Sequence, residues 1–224
     1  MANDQRILFS KSGTAKYISH LDLIHTMERA FLRAGIAIRH TEGFHPHPYV
    51  SIPLPLSLGF SSDCEILEFG LVSGCTMEEL PDRMNAALPA GIHVLRCYDG
   101  GLPFRKLTSV RYEIMLEFAE PVAEAAGQAF QELTSRERFV VQKRSKKAKS
   151  GFTEVDVIPL VEAVEESRPD GNLLFLTLLL KAQNPGLNPD VLMKGFLKEY
   201  PDFSPIYSAY HRKEIFDDNQ QPYR

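Results

Sequence analysis

Long apolar runs are missing from this sequence. No stretch reaches the roughly 18 apolar residues of a membrane-spanning helix, so no helical membrane span is expected. The opening residues MANDQRILFS lack the apolar stretch and cleavage pattern of a secretory signal, which makes the cytoplasm the expected compartment. Cysteine is scarce: Cys64, Cys75 and Cys97 are widely spaced and form no C-x-x-C pair. An odd, scattered set fits reduced, buried thiols better than a disulfide framework or a close three-cysteine iron–sulfur cluster.

Familiar catalytic signatures are missing too. The chain has no G-x-x-x-x-G-K-[ST] phosphate loop, G-x-G-x-x-G fingerprint, H-E-x-x-H helix or G-x-S-x-G elbow. Nucleotide hydrolysis, dinucleotide redox and ordinary hydrolase chemistry thereby lose their usual markers, and no cofactor is expected. Strong positive charge is also wanting: the net charge is -4, which argues against indiscriminate coating of nucleic acid. A local basic patch remains compatible with that sum.

What is present reads as a folded chain. Hydrophobic residues make up 44% and charged residues 24%, ordinary globular values, and 224 residues suffice for two units of about 100 each. Arg6 to Ser10 reads as a strand. Ser19 and Asp22 cap a helix whose apolar Leu21, Ile24, Met27, Phe31 and Ala34 recur at helical spacing until Gly35 ends it. An extended stretch with a broad Gly, His and Pro loop follows, then a helix over Thr76 to Leu88 and a strand over Ile92 to Tyr98. Residues 99–108, with Gly100, Gly101 and Pro103, read as a linker. A second cycle places strands at Val110 to Phe118, Phe139 to Lys143, Thr153 to Val157, Leu173 to Lys181 and Ser204 to Ile215, with helices at Pro121 to Thr134 and Pro189 to Tyr200. Pro159 to Ser167 adds a further piece of unassigned type. The expected architecture is α+β: two tandem ferredoxin-like β-α-β-β-α-β units over 1–98 and 109–216, a cleft between them, and a polar, frayed tail over 217–224.

Three regions carry candidate chemistry. The densest runs from Arg39 and His40 through Glu42, Phe44, His45 and His47 to Tyr49. Its imidazoles and guanidinium can donate to phosphate oxygens, Phe44 and Tyr49 can stack on bases, and Pro46 and Pro48 stiffen the loop. A rigid loop with locally bonded histidines is an equally physical reading. Zinc is a third, with His45 and His47 joined by His20 or Cys64, although His-Pro-His lacks a spacing that gathers several donors on one ion. On the first helix His25, Arg29 and Arg33 share one face, either a phosphate track or a solvated surface. Lys143, Arg144, Lys146, Lys147 and Lys149 form a basic turn between two strands, either a phosphate-gripping finger or a solubilising hairpin.

The chain resembles the radical-SAM-associated family of unknown function. The likeness is carried by Tyr17-Ile18-Ser19-His20-Leu21-Asp22, by Arg29, Arg33 and Ala34, by Gly43-Phe44-His45-Pro46-His47-Pro48, by Pro55-Leu56 with Gly59, and by Val155-Asp156-Val157 after the basic turn. His45 stands where that family has asparagine, and Ile158 where it has arginine. The resemblance implies a radical-SAM protein as partner, since members occur fused to or encoded beside such proteins. A more distant likeness, through Arg39 to His45, Met84 to Val94 and Arg111 to Ile114, is to tRNA pseudouridine synthases, which are paired ferredoxin-like units with an RNA cleft. Their essential aspartate follows Arg-Thr, whereas this chain reads Arg39-His40-Thr41-Glu42; that likeness implies Glu42 as catalytic carboxylate and Tyr112 beside the target base.

The expected function is an RNA-binding accessory protein, its RNA a tRNA or rRNA, acting with a radical-SAM enzyme or with RNA modification and processing machinery. The alternatives are a pseudouridine-synthase-like RNA-modifying enzyme and an adaptor that docks a radical-SAM protein without touching RNA.

Overall fold

A computed structural model describes residues 5–144 and 151–224, with the side chains of Lys143 and Arg144 left out. The chain divides into two compact units, one running to Lys106 and including Arg224, the other spanning Leu107–Tyr223.

In the first unit, β1 (Gln5–Lys11) is the central strand and is buried over Ile7, Leu8 and Phe9. A short 3-10 turn over Gly13–Tyr17 leads into α1 (His20–Arg33). The Ser19 hydroxyl accepts from the Asp22 amide at 3.2 Å and donates to the Asp22 carboxylate at 2.6 Å, so the expected cap starts the helix. Leu23, Met27, Ala30 and Phe31 form its buried stripe, and Gly35, at φ 65°, supplies the left-handed exit. The extended region resolves into β2 (Ala37–Ile38), β3 (Val50–Ser51), β4 (Ser61–Phe69) and β5 (Leu71–Ser73). The expected helix over Thr76 to Leu88 is shorter, α2 (Leu80–Ala87). Thr76 and Glu79 make a reciprocal capping box one turn ahead of it, the Thr76 amide donating to Glu79 and the Glu79 amide to Thr76 Oγ1. Strand β6 (Ile92–Asp99) follows.

The sheet of this unit runs β6-β1-β4-β3, every neighbouring pair antiparallel, while β2, among the described residues, pairs only with β5. Both helices pack on one core with Ile7, Phe9, Leu67 and Phe69, where the rings of Phe31 and Phe69 lie 5.0 Å apart. Arg6 is buried on β1 and makes a two-donor contact to Glu68 Oε1, at 2.6 and 3.0 Å, plus a bond to the Leu102 carbonyl at 2.8 Å.

In the second unit, β7 (Leu107–Glu117) leads to α3 (Ala123–Thr134), whose face of Ala123, Ala126, Phe130 and Leu133 is buried. Then come β8 (Val140–Arg144), β9 (Phe152–Asp156), β10 (Val161–Asp170), β11 (Leu173–Lys181), α4 (Pro189–Glu199) and β12 (Tyr207–Asp217). The sheet runs β10-β11-β7-β12, again antiparallel throughout. Strict alternation on β11 buries Leu174, Leu176, Leu178 and Leu180 on one face.

Two sequence expectations change here. The piece over Pro159 to Ser167 is a 3-10 turn to Leu160 followed by the edge strand β10 of the main sheet, whereas β8 and β9, among the described residues, pair only with each other as a separate hairpin. An edge strand needs little burial and tolerates charge and proline, so Glu162, Glu165, Glu166, Arg168 and Pro169 hid its period. The tail expected to fray instead folds back. Asp217 Oδ1 accepts from the amides of Asn219 and Gln221 at 2.8 and 2.9 Å, the Tyr223 amide donates to the Ile215 carbonyl at 2.8 Å, and Tyr223 is fully buried. A single buried aromatic outweighs the polarity of its neighbours.

Candidate nucleic-acid interface

The loop between β2 and β3 is built as an irregular hairpin. At its base the Arg39 amide donates to the Gly70 carbonyl at 2.7 Å, and the Tyr49 amide donates to the Arg39 carbonyl at 2.7 Å. His40 and Pro48 face each other as an isolated bridge, and the Thr41 amide donates to the His47 carbonyl at 2.8 Å. Arg39 lies with its guanidinium carbon 4.4 Å from the Tyr49 ring centre, a cation–π contact that holds both side chains flat. Gly70 makes room for this. A Cβ there would sit 3.0 Å from Arg39 Cβ and 3.3 Å from its Nε.

Higher in the loop, His47 ties the two limbs together. Its amide donates to Thr41 Oγ1 at 3.2 Å, and its ring Nδ1 lies 3.1 Å from the same oxygen and 3.2 Å from the His45 carbonyl. These contacts hold the imidazole against the loop backbone on its Nδ1 side. Above this clasp the tip is bare: Glu42, Gly43, Phe44, His45 and Pro46 are exposed, and Phe44 is wholly so at 102%. A phenyl ring held in water by a braced backbone has no stabilising role in its own fold.

The remaining expected site residues are placed as follows. Arg29 is exposed on α1, as is His25. Arg33 is exposed but engaged, its Nη2 donating to the Ala87 carbonyl at 2.7 Å and closing the C-terminal end of α2. Glu42 sits on the exposed loop of the first unit without a hydrogen bond or ion pair among the described residues. Tyr112 belongs to the second unit and is buried on β7, its hydroxyl accepting from Arg212 at 3.4 Å. Lys143 and Arg144 end β8, while Lys146, Lys147 and Lys149 lie outside the described residues.

Metal-ligating types do not gather. Among the described residues no three His, Cys, Asp or Glu side chains form a metal-sized group. Cys64 is buried on β4 with its sulfur 3.7 Å from Ser62 Oγ, whereas His45 and His47 are exposed. Burial pushes the Cys97 thiol up to about 12, with Cys75 adding to the effect, and raises Cys75 too, against a lowering by Arg83. Such thiols stay protonated near neutrality and make poor nucleophiles or ligands.

Sequence reasoning missed a second exposed group. The Gly59 amide donates to the Lys16 carbonyl at 2.8 Å, which joins the loop of Leu58 to the 3-10 turn carrying Tyr17. Leu58, Tyr17 and, at the start of α1, Leu21 are all more than 60% exposed. Apolar periodicity assigns Leu21 to the core, and only the three-dimensional rotation of α1 turns it outward.

A family model described as an uncharacterized protein conserved in bacteria (DUF2344) matches residues 5–189. The chain belongs to that family. The match takes in the whole first unit's sheet, the braced loop and the second unit as far as the start of α4. No curated protein matches the chain. Among solved structures, one of an unknown protein from Galdieria sulphuraria is similar over 95% of this chain and 98% of that one. It is 10% identical, with a TM-score of 0.29, which carries no argument about fold or function.

Proposed function

We propose that this member of the family is an RNA-binding accessory protein that works beside a radical-SAM enzyme, with the loop from Arg39 to Tyr49 as its base-contacting element. One observation carries the reading: a clasped, proline-stiffened hairpin presents a fully exposed Phe44 flanked by His45, with His40 and Arg39 below. Rings and cations in that order match what single-stranded or looped RNA asks of a protein, a stacking platform with donors for phosphate. Bracing helps because each side chain ordered only on binding costs about 0.5–1.5 kcal/mol.

The strand order supports a finer reading of the fold. Numbering the four sheet strands of each unit along the chain, both sheets run second, third, first, fourth, the order of a β-α-β-β-α-β unit. We read both units as ferredoxin-like, the second with the β8–β9 hairpin inserted after its first helix. RNA recognition on such units is common, and the pseudouridine-synthase resemblance points the same way, but Glu42 stands exposed at the loop tip, with no hydrogen-bond partner among the described residues to orient it for attack. The accessory role is therefore preferred to catalysis.

Fluorescence anisotropy of a labelled, structured tRNA at 50 mM salt tests the reading. Phe44→Ala is expected to weaken binding by about 1–3 kcal/mol, the range for loss of one stacked base, with the circular dichroism spectrum unchanged. Absence of binding by the unmodified protein at that salt rejects it. The exposed trio Tyr17, Leu21 and Leu58 favours a second reading, an adaptor surface for a protein partner; co-purification with a radical-SAM protein that is lost in Leu58→Asp would favour it.

A further inference from the structure

The second unit carries an open groove of about 1220 Å³ between the β8–β9 hairpin and α4. Five successive residues, Arg138 to Gln142, line it. Side chains of a strand alternate between faces, so the unbroken run of Val140, Val141 and Gln142 in β8, with Arg138 and Phe139 leading into it, borders a cavity where the cavity follows the strand's edge. Strand β8 pairs with β9 on one side, and among the described residues no strand pairs with its other side. The Phe139 carbonyl accepts from the Val157 amide at 2.9 Å and the Phe139 amide donates to Asp156 Oδ1 at 3.0 Å, so Phe139 points its backbone toward β9. By alternation Val140 and Gln142 direct their N–H and C=O groups to the opposite edge, along the groove.

The facing wall is one side of a helix: Asp190, Val191, Lys194, Gly195 and Lys198 recur at the spacing that keeps residues on one helical face. Gly195 lets that wall come close, since a Cβ there would collide with Val141 Cγ1 and lie 3.1 Å from the Phe139 ring. A strand edge opposite a helix face is the geometry in which an extended peptide adds itself as a further strand.

Charge chooses the occupant. Lys194 is held by Asp190 at 2.6 Å and Glu199 by Arg136, which leaves Arg138 and Lys198 against Glu154 in the lining, enough for one carboxylate but too little to track a phosphate backbone. Arg136 also reaches the Tyr200 hydroxyl at 2.8 Å, which sets the approach to β8 beside the end of α4 and puts Arg138 and Lys198 at one end of the groove. Glu154, opposite Gln142 in the hairpin, lies toward the other end. We propose that this groove binds an extended peptide segment of a partner protein along the free edge of β8. Its acidic residue or terminal carboxylate sits at the Arg138–Lys198 end, and its apolar side chains lie beside the exposed Val140 and the partly exposed Val191. A strand of five residues spans about 17 Å and fixes the length of peptide read.

The probes are fluorescein-labelled hexapeptides of alternating valine and threonine with aspartate at either terminus, titrated with the full chain. Saturable binding of one of them is expected, weakened at least tenfold when alternate peptide nitrogens are methylated and at least threefold in Lys198→Glu. Phe44→Ala, which tests the RNA reading, should leave it unchanged. Equal binding of the methylated peptide, no binding of either peptide, or full displacement by tRNA would overturn the proposal.

Discussion

His47 is the residue on which the shape of the candidate interface turns. Its amide and its ring both bond to Thr41 Oγ1, so one hydroxyl carries two contacts across the loop. Thr41→Val keeps the volume and removes both. The loss should leave global stability within about 1 kcal/mol, because these bonds are exposed and exposed hydrogen bonds are worth little net. RNA affinity should nevertheless fall several-fold as the tip loses its bracing, which anisotropy measures directly; unchanged affinity would mean that Phe44 does not depend on the clasp. The histidines, Arg39 and Phe44 were legible in the sequence as an unusual run of residue types. That Arg39 leans on Tyr49 across Gly70 was not, because Gly70 lies in a different strand connection.

At the scale of elements, the helices announced themselves and one strand did not. Ser19 and Asp22 begin α1 as their types demand, and the apolar stripe through Met27 and Phe31 is the buried one. Strand β10 escaped notice because an edge strand exposes most of its residues, leaving no alternation to read. The contact between α4 and β8 belongs to this scale and depends on Gly195. Gly195→Ala gains helix propensity of about 1 kcal/mol but drives a methyl into Val141 and Phe139, an overpacking that costs about 1–3 kcal/mol. The expected net result is a lower urea midpoint, by up to about 2 kcal/mol in stability, together with weaker peptide binding. A rise in midpoint would show that the hairpin yields freely.

For the whole molecule the governing quantity is how positive charge is distributed against a net charge of -4. Alanine at Lys143, Arg144, Lys146, Lys147 and Lys149 should reduce tRNA affinity and flatten its salt dependence, by about one unit of slope for each phosphate contact removed. Measuring affinity at several salt concentrations separates this from the Phe44 effect, which is carried by stacking and should leave the slope nearly intact. An unaltered slope would exclude the basic turn from binding.

Local physics determined what the sequence alone could tell: caps and periodicity placed the helices and the strongly apolar strands, and the order of those elements set the α+β class. Tertiary structure decided which strands joined the main sheets, that Tyr223 pins the tail, that Leu21 faces water and Tyr112 the interior, and that, among the described residues, β8 pairs with a strand on one side alone. These depend on contacts between residues far apart in the chain, and no local pattern encodes which surface a neighbour will cover.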